Sequence, residues 1–453
     1  MYEIYNDYDE DKDNLNSYED LDLDGDCHNF NLLEINLNDY SETDIDYILY
    51  NLNKYTKLRF FKCYKKIKKL PELPDSLIEL DCEKCDLDEL PEILPNSLIK
   101  LKCSKNKLRK LPKLPNSLTI LKCYKNKLEE LPELPDYLTH LHCDFNELEE
   151  LPKLPDSLID LVCNDNILKK LPNPLPSSLK LLACYMNNLL KIPEILPGSL
   201  TRLFCGNCDL LKLPDNLPSL LIELSCCSNN LRELPILPNS LIDLNCSYNS
   251  LTKLPDFLPN SLIQLDCCNN NLTQLPLLPN SLAQLDCYNN NLGARLGLGF
   301  TNLPNSLIQF DCSKNNLRQL PKLPNSIKLL KCHNNLLIKL PDLPNSLIRL
   351  YCSDNKLKEL PYIPDTLIYI QYYGNNNLDL VYPILIYPNN QIDNKIKSIN
   401  EINSKIRSLN RLKNIDRTLL LEWSARVCLN PKRIERLLES NQISFFDGSF
   451  GEI

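Results

Sequence analysis

The sequence predicts an α/β repeat solenoid in which short parallel strands stack on one side, extended polyproline-like segments return on the other, and helices cap the ends. Two observations support this prediction. Fifteen of the 21 cysteines, from Cys63 to Cys352, follow one another at intervals of 19–21 residues, with a single interval of 25. Around them one motif recurs, L-P-x-L-P-[ND]-S-L-x-x-L-x-C-x-x-N-x-L, as in residues 111–130. A fixed period of about 20 residues is typical of stacked repeats, so we expect one elongated array.

The first element of each unit is a short strand. In Leu121, Lys122 and Cys123 apolar and polar residues alternate, which places the leucine and the cysteine on one face and the lysine on the other. Identical strands can then stack in parallel, with the apolar column inside.

The second element is a turn that contains an asparagine three residues after the cysteine, such as Asn126. An amide side chain both donates and accepts, so it can pair buried backbone groups of neighbouring coils. The prolines of L-P-x-L-P then exclude a helix and favour an extended return segment. The following Pro-Asn-Ser or Pro-Asp-Ser forms the turn back into the next strand.

The two ends depart from the repeat, as capping units must. Residues 1–50 contain 16 acidic residues and one lysine, and we expect residues 1–26 to be a disordered acidic tail. Residues 27–57 are predicted to form a helix-containing cap repeat, with a helix over 41–53. The array of about sixteen strands is predicted over 58–380. Residues 381–453 are predicted to be helical, either as a cap or as a docking module, with the first helix over 391–413.

These units resemble the short, 20-residue leucine-rich repeats of bacterial effector proteins, and the whole chain resembles leucine-rich-repeat proteins of giant DNA viruses. The resemblance covers residues 58–380. It implies a leucine-rich-repeat horseshoe with the strands on the concave face. Members of the effector family often carry a C-terminal ubiquitin-ligase domain, and we expect that domain to be absent, since only about 75 residues follow the array.

Two C-x-x-C pairs, Cys82 with Cys85 and Cys205 with Cys208, would suggest a zinc or redox site if they stood alone. In each pair the second cysteine stands where the repeat has its asparagine, so we expect both to be structural. The pairs are also six repeats apart, about 29 Å at the usual strand spacing, and cannot share one metal.

Two further motifs resemble ligand-binding loops only in part. Residues 20–25 match the first half of a calcium loop, but the twelfth position is Asn31 instead of a bidentate glutamate. Residues 293–299 are rich in glycine but lack the lysine of a phosphate loop, and we expect an outward loop there. Since no combination of nucleophile, base and oxyanion donors emerges, we expect no catalytic residues, no cofactor and no metal, and we do not expect an enzyme.

The candidate site is the concave face, where the fold does not constrain the residue type at the variable positions beside the inward leucine and cysteine. It has a basic first third, an acidic or amide middle and an aromatic end. A metal site at the two histidines is the alternative at that position. The residues predicted to bind a partner are Lys100, Lys102, Lys122, Lys125, His140, His142, Asp144, Asp266, Asp286, Asp311, Arg349 and Tyr351.

The favoured function is a non-enzymatic protein-protein interaction scaffold, with an unidentified protein partner and a monomeric state. An alternative is a substrate-recognition subunit of a ubiquitin-ligase complex, with the helical C-terminus docking the ligase; a hydrolase working at the histidines is a third interpretation. Residues 51–453 carry a net charge of only +6, from 49 basic and 43 acidic residues, which argues against nucleic acid. The chain has neither a long apolar run nor a basic, apolar leader, so we expect no membrane insertion and a cytoplasmic location, in the host cytoplasm for a viral chain.

Overall fold

The described part of the chain forms one continuous stack of parallel strands. The computed structural model describes residues 29–293 and 302–375. Within these residues, seventeen strands of three residues each pair in parallel, every strand with the next one along the chain. They are β1 (Glu34–Asn36), β2 (Phe60–Lys62), β3 (Glu79–Asp81), β4 (Lys100–Lys102), β5 (Ile120–Lys122), β6 (His140–His142), β7 (Asp160–Val162), β8 (Leu181–Ala183), β9 (Arg202–Phe204), β10 (Glu223–Ser225), β11 (Asp243–Asn245), β12 (Gln264–Asp266), β13 (Gln284–Asp286), β14 (Gln309–Asp311), β15 (Leu329–Lys331), β16 (Arg349–Tyr351) and β17 (Tyr369–Gln371).

The strands stack in register because their central residue is apolar and points into the core. Leu265, Leu285 and Phe310 are aligned across β12, β13 and β14, and each is at least 98% buried. The column cysteine that follows each of the strands β2 to β16 is also buried. This parallel solenoid confirms the fold class predicted from the repeat.

A helix precedes the array, within the stretch predicted to be helical. Helix α1 (Glu42–Tyr50) begins after Ser41, whose hydroxyl accepts a hydrogen bond from the backbone N–H of Asp44. Ile45 and Ile48 of α1 are buried, as the helical spacing requires. The predicted tail over 1–26 and the predicted helices beyond residue 381 lie outside the described residues, as do most of the glycine-rich stretch and the half calcium loop.

The asparagine column forms a hydrogen-bonded ladder, as predicted. The Nδ2 of Asn335 donates to the carbonyls of Cys312, at 3.0 Å, and of Cys332, at 3.1 Å. Its Oδ1 accepts from the backbone N–H groups of Asn315, at 3.0 Å, and of Leu317, at 2.9 Å. Each such asparagine therefore ties its own coil to the preceding one with groups that would otherwise be buried and unpaired.

From β2 to β17 the described return segments carry no helix, as their prolines predict. Their serines tie neighbouring coils together. The hydroxyl of Ser261, for example, donates to the carbonyls of Leu241 and Asn239 in the preceding coil, at 2.6 and 2.7 Å. The outer side is thus also linked from coil to coil.

The C-x-x-C pairs are structural, as predicted. The thiol of Cys85 donates to the carbonyl of Cys63, and that of Cys208 to the carbonyl of Cys184, which is the bond that the asparagine makes in other coils. All nineteen cysteines among the described residues are buried and none of them is in a disulfide. In the same part of the chain, no helix has the length and apolar character needed to span a membrane.

Candidate functional site

The basic third of the concave face is partly neutralised by an acid on the neighbouring strand. Lys100 and Lys102 flank the inward Leu101 of β4, and Lys102 is the register partner of Lys122 on β5. The carboxylate of Glu79 on β3 lies 4.0 Å from the Nζ of Lys100 and 3.4 Å from that of Lys102. Glu79 therefore supplies a counter-charge to both lysines.

Lys125 follows β5 in a left-handed turn with a φ of 53°. Its Nζ lies 5.0 Å from the ring centroid of Phe145 in the next coil. Lys105, one coil earlier, makes the same contact with Tyr124 at 5.1 Å. These lysines are held by cation-π contacts along one edge of the concave face.

The histidines lie on the predicted face but do not assemble a metal site. The Nε2 of His140 is 3.3 Å from a carboxylate oxygen of Asp160, the neighbour predicted on the adjacent strand, and its Nδ1 is 2.8 Å from the hydroxyl of Thr139. Both ring nitrogens thus face partners within the protein. Among the described residues, His142 and Asp144 do not join His140 in a group of ligand atoms close enough for one ion.

A small apolar cluster lies on the concave face between the histidines and the acidic residues, and the sequence analysis missed it. Val162, Leu181, Ala183 and Phe204 of β7, β8 and β9 are each at least 91% buried and form a cluster separate from the main core. The sequence does contain a signal for this cluster, because the four residues are apolar at strand positions where most coils carry a polar side chain.

The acidic middle forms a groove with a volume of about 430 Å³, which we call the acidic groove. Asp266, Asp286 and Asp311 are register partners on β12, β13 and β14, so three carboxylates stand in one row on adjacent strands. A parallel row of amides is formed by the first residues of the same strands. The polar and charged residues that line the groove are Glu223, Ser225, Asp243, Asn245, Gln264, Asp266, Gln284, Asp286, Gln309, Asp311 and Lys331.

The carboxylates of the acidic groove are destabilised in their charged form. Burial, with the neighbouring charge of Asp311, raises the pKa of Asp286 to about 7. Burial, with the charges of Glu223 and Asp266, raises the pKa of Asp243 to about 6. Burial also raises the pKa of Asp266. The acidic groove therefore brings several carboxylates close together and partly shields them from water.

Little within the described residues compensates this charge. The Nζ of Lys331 lies 3.3 Å from Asp311 at the end of the groove. Each carboxylate of the row also accepts one backbone N–H, as Asp286 does from Tyr288 at 2.9 Å. In the described part of the chain, Asp266 and Asp286 form no ion pair, so the groove retains unbalanced negative charge.

One group of possible metal ligands lies in this groove. The ligand atoms of Asp266, Cys268 and Asp286 are within 4.8 Å of one another. Burial and the two neighbouring carboxylates raise the pKa of the Cys268 thiol well above its usual value. Two carboxylates beside each other also suit a cationic side chain that donates several hydrogen bonds, such as a guanidinium.

The far end of the face carries two tyrosines and an arginine. The ring centroids of Tyr351 and Tyr369 are 5.0 Å apart on β16 and β17, and Arg349 is exposed beside them. Of the twelve predicted residues, Asp266, Asp286 and Asp311 are brought together into one groove.

Replacing Asp286 by asparagine should raise the free energy of unfolding by roughly 1–2 kcal/mol at pH 8, because the charged form is the unfavourable one in the groove. The raised pKa means that the folded state binds the proton more tightly than the unfolded state. Between about pH 4 and 7 stability therefore decreases as pH rises. The gain from Asp286→Asn should be smaller at pH 5.5, where the wild-type carboxyl is protonated.

Urea denaturation of both proteins at pH 5.5 and 8 measures this effect. Asp342→Asn, at an exposed position on the outer side, is the matched control and should change stability by less than about 0.5 kcal/mol. Equal effects of the two substitutions at pH 8 would contradict the burial of charge at Asp286.

Comparison with known structures gives clear similarities. YopM from Yersinia enterocolitica is 38% identical, with a TM-score of 0.66, and the match covers 70% of this chain and 70% of that chain. YopM of Yersinia pestis, described as a leucine-rich effector protein, is 35% identical with a TM-score of 0.60, covering 72% and 86%. The functional domain of InlJ from Listeria monocytogenes, which includes a cysteine ladder, is 24% identical with a TM-score of 0.54, covering 72% and 69%, and shows the fold alone. No protein-family model matches the chain, and no curated protein matches it.

Proposed function

Because the chain belongs to the leucine-rich-repeat family that includes the two YopM proteins, we propose that it is a non-enzymatic protein-protein interaction scaffold that binds its partner through the concave face. Within that face we propose the acidic groove as the contact site and a lysine- or arginine-rich segment as its ligand. The observation that supports this most is the row of Asp266, Asp286 and Asp311, three carboxylates on adjacent strands in one groove.

A cationic segment matches the chemistry of the groove. A guanidinium presents several donors in one plane and pairs with carboxylates in two-pronged contacts. The amide row of Gln264, Gln284 and Gln309 offers further acceptors and donors beside the carboxylates. Ion pairs that form in a half-buried groove are screened less by salt than those on an open surface.

The experiment compares two variants that change the net charge equally. Asp266→Asn, Asp286→Asn and Asp311→Asn are combined in the groove variant. Three exposed outer acids, at positions 215, 256 and 342, are changed to asparagine in the control variant. The probe is a fluorescent nonapeptide of alternating arginine and leucine, and the same peptide with glutamate in place of arginine tests charge selectivity.

We expect the groove variant to bind the arginine peptide at least tenfold more weakly than the wild type, and the control variant to bind it as the wild type does. Affinity should also fall as pH is lowered below 7, because Asp286 becomes protonated. Equal losses in both variants would show that the peptide responds to net charge alone, and the groove would not be the site.

Other elements of the predicted function stay proposals. Binding of an acidic surface by Lys100, Lys102, Lys122 and Lys125 is less favoured, since Glu79 already faces two of them. The ubiquitin-ligase alternative depends on residues 381–453, outside the described part, and co-purification of ligase subunits with the full chain would test it. A cytoplasmic location and the resemblance to giant-virus proteins also remain predictions.

A further inference from the structure

Three large apolar side chains stand exposed in a row on the outer side of the solenoid. Ile236, Phe257 and Leu277 occupy equivalent positions in successive coils and are 87, 90 and 72% exposed. Phe257 and Leu277 also form an isolated parallel bridge, which places their backbones side by side. We call these three residues the convex stripe. Ile93, Ile195 and Tyr362 are apolar at the same position but do not adjoin one another along the array. Six other coils carry charged residues there, namely Glu72, Lys113, Glu133, Lys153, Lys322 and Asp342.

The fold does not require apolar residues in the convex stripe. The core at Phe257 is built by its neighbours in the repeat, Leu254 and Leu258, which are at least 92% buried. Charged residues at this position in other coils leave the repeat intact. Single exposed apolar side chains are common on protein surfaces, but a continuous row of large ones marks a contact surface.

The chain itself contains a segment that fits the convex stripe. Residues 391–413 have seven apolar residues three or four apart, which the sequence predicts to form one face of a helix: Ile392, Ile396, Ile399, Ile402, Ile406, Leu409 and Leu412. The segment lies outside the described residues. It carries six basic and two acidic residues, while exposed Asp256 adjoins Phe257 and exposed Asp215 lies one coil before Ile236. Exposed Arg232 and Lys253 lie in the same coils as Ile236 and Phe257, so the match between the two surfaces rests on their apolar residues.

The connection is long enough. The last described strand, β17, is four strands beyond β13, whose coil carries Leu277, and at about 4.8 Å per strand this is roughly 19 Å along the array. The fifteen residues 376–390 can span up to about 50 Å when extended. We propose that the convex stripe binds the apolar face of residues 391–413 of the same chain, so that the C-terminal segment folds back along the outside of the array.

Photo-crosslinking of the full chain tests this contact directly. Phe257 is replaced by p-benzoylphenylalanine, which keeps an aromatic side chain at an exposed position, and crosslinked peptides are identified by mass spectrometry. Ile93, which is 84% exposed at the equivalent position of a distant coil, carries the same label in the control. We expect crosslinks from position 257 to residues 391–413 within one chain, and none to that segment from position 93. Crosslinks only to a second copy, or to no part of 391–413, would overturn the proposal.

Hydrogen exchange provides an independent readout without the label. In the wild-type chain the amides of 391–413 should be protected, and the triple variant Ile236→Asp, Phe257→Asp and Leu277→Asp should exchange them at least tenfold faster. Ile93→Asp should leave their exchange unchanged. Equal exchange in the wild type and the triple variant would overturn the proposal, whether the segment is unprotected or is protected by the last coil of the array.

Discussion

Replacing Asn335 by alanine should lower the free energy of unfolding by about 3 kcal/mol or more. The substitution removes an acceptor for the backbone N–H groups of Asn315 and Leu317 and a donor for the carbonyls of Cys312 and Cys332. Each buried group left unpaired costs roughly 1–3 kcal/mol, and water cannot reach this part of the core easily. Urea denaturation followed by circular dichroism measures the loss.

The adjacent residue provides the control. Asn334 is exposed and has a φ of 54°, in the left-handed region, so alanine would add backbone strain there. Lysine occupies the same repeat position at Lys314 with a φ of 51°, and Asn334→Lys should change stability by less than about 0.5 kcal/mol. Similar losses in the free energy of unfolding for Asn335→Ala and Asn334→Lys would contradict the stabilising role of the asparagine ladder.

The second large effect is expected at Phe310, where we predict a loss of about 3–5 kcal/mol for Phe310→Ala. Phe310 is 99% buried and stands between Leu285 and Leu330 in the inward column of three adjacent strands. Alanine would leave a cavity that strands tied on both sides cannot close. This loss is measured as a lower denaturation midpoint of the variant than of the wild type, with an unchanged m-value.

Phe310→Leu separates the cavity from other effects of the substitution. Leucine is the residue found at this position in both neighbouring strands, so the variant should lose less than about 1.5 kcal/mol. If leucine were as costly as alanine, the contribution of Phe310 would have to come from its aromatic ring and not from filling space.

The fold was predictable because each coil repeats the same residue pattern and therefore the same local interactions. Asn126 is typical, since its position three residues after Cys123 was enough to predict its role, and its Nδ2 indeed donates to the carbonyls of Cys103 and Cys123. Alternation within Leu121 to Cys123 likewise predicted which side chains are buried. Such assignments need only the sequence of one coil and the fact that it recurs.

The candidate site was predictable only in part, because it depends on relations between coils. The pairing of Glu79 with Lys100 and Lys102 follows from the strand register, which aligns Glu79 with Lys100 across residues far apart in the chain. The raised pKa of Asp286 depends on how far the concave face buries its carboxylates. The pattern of residues in the repeat does not predict that burial. The sequence placed Asp286 on the right face but did not distinguish the acidic groove from the rest of that face.

The longest interval between two column cysteines shows how coil length and strand pairing are related. Although 25 residues separate Cys287 from Cys312, β13 and β14 pair in the usual register, and the Nδ2 of Asn315 donates to the carbonyl of Cys287 at 2.8 Å as in any other coil. Residues can therefore be added between two strands without altering the spacing of the concave face. In evolutionary terms the length of a coil and the recognition geometry of that face are separable, so that an insertion can be gained while the geometry is inherited unchanged.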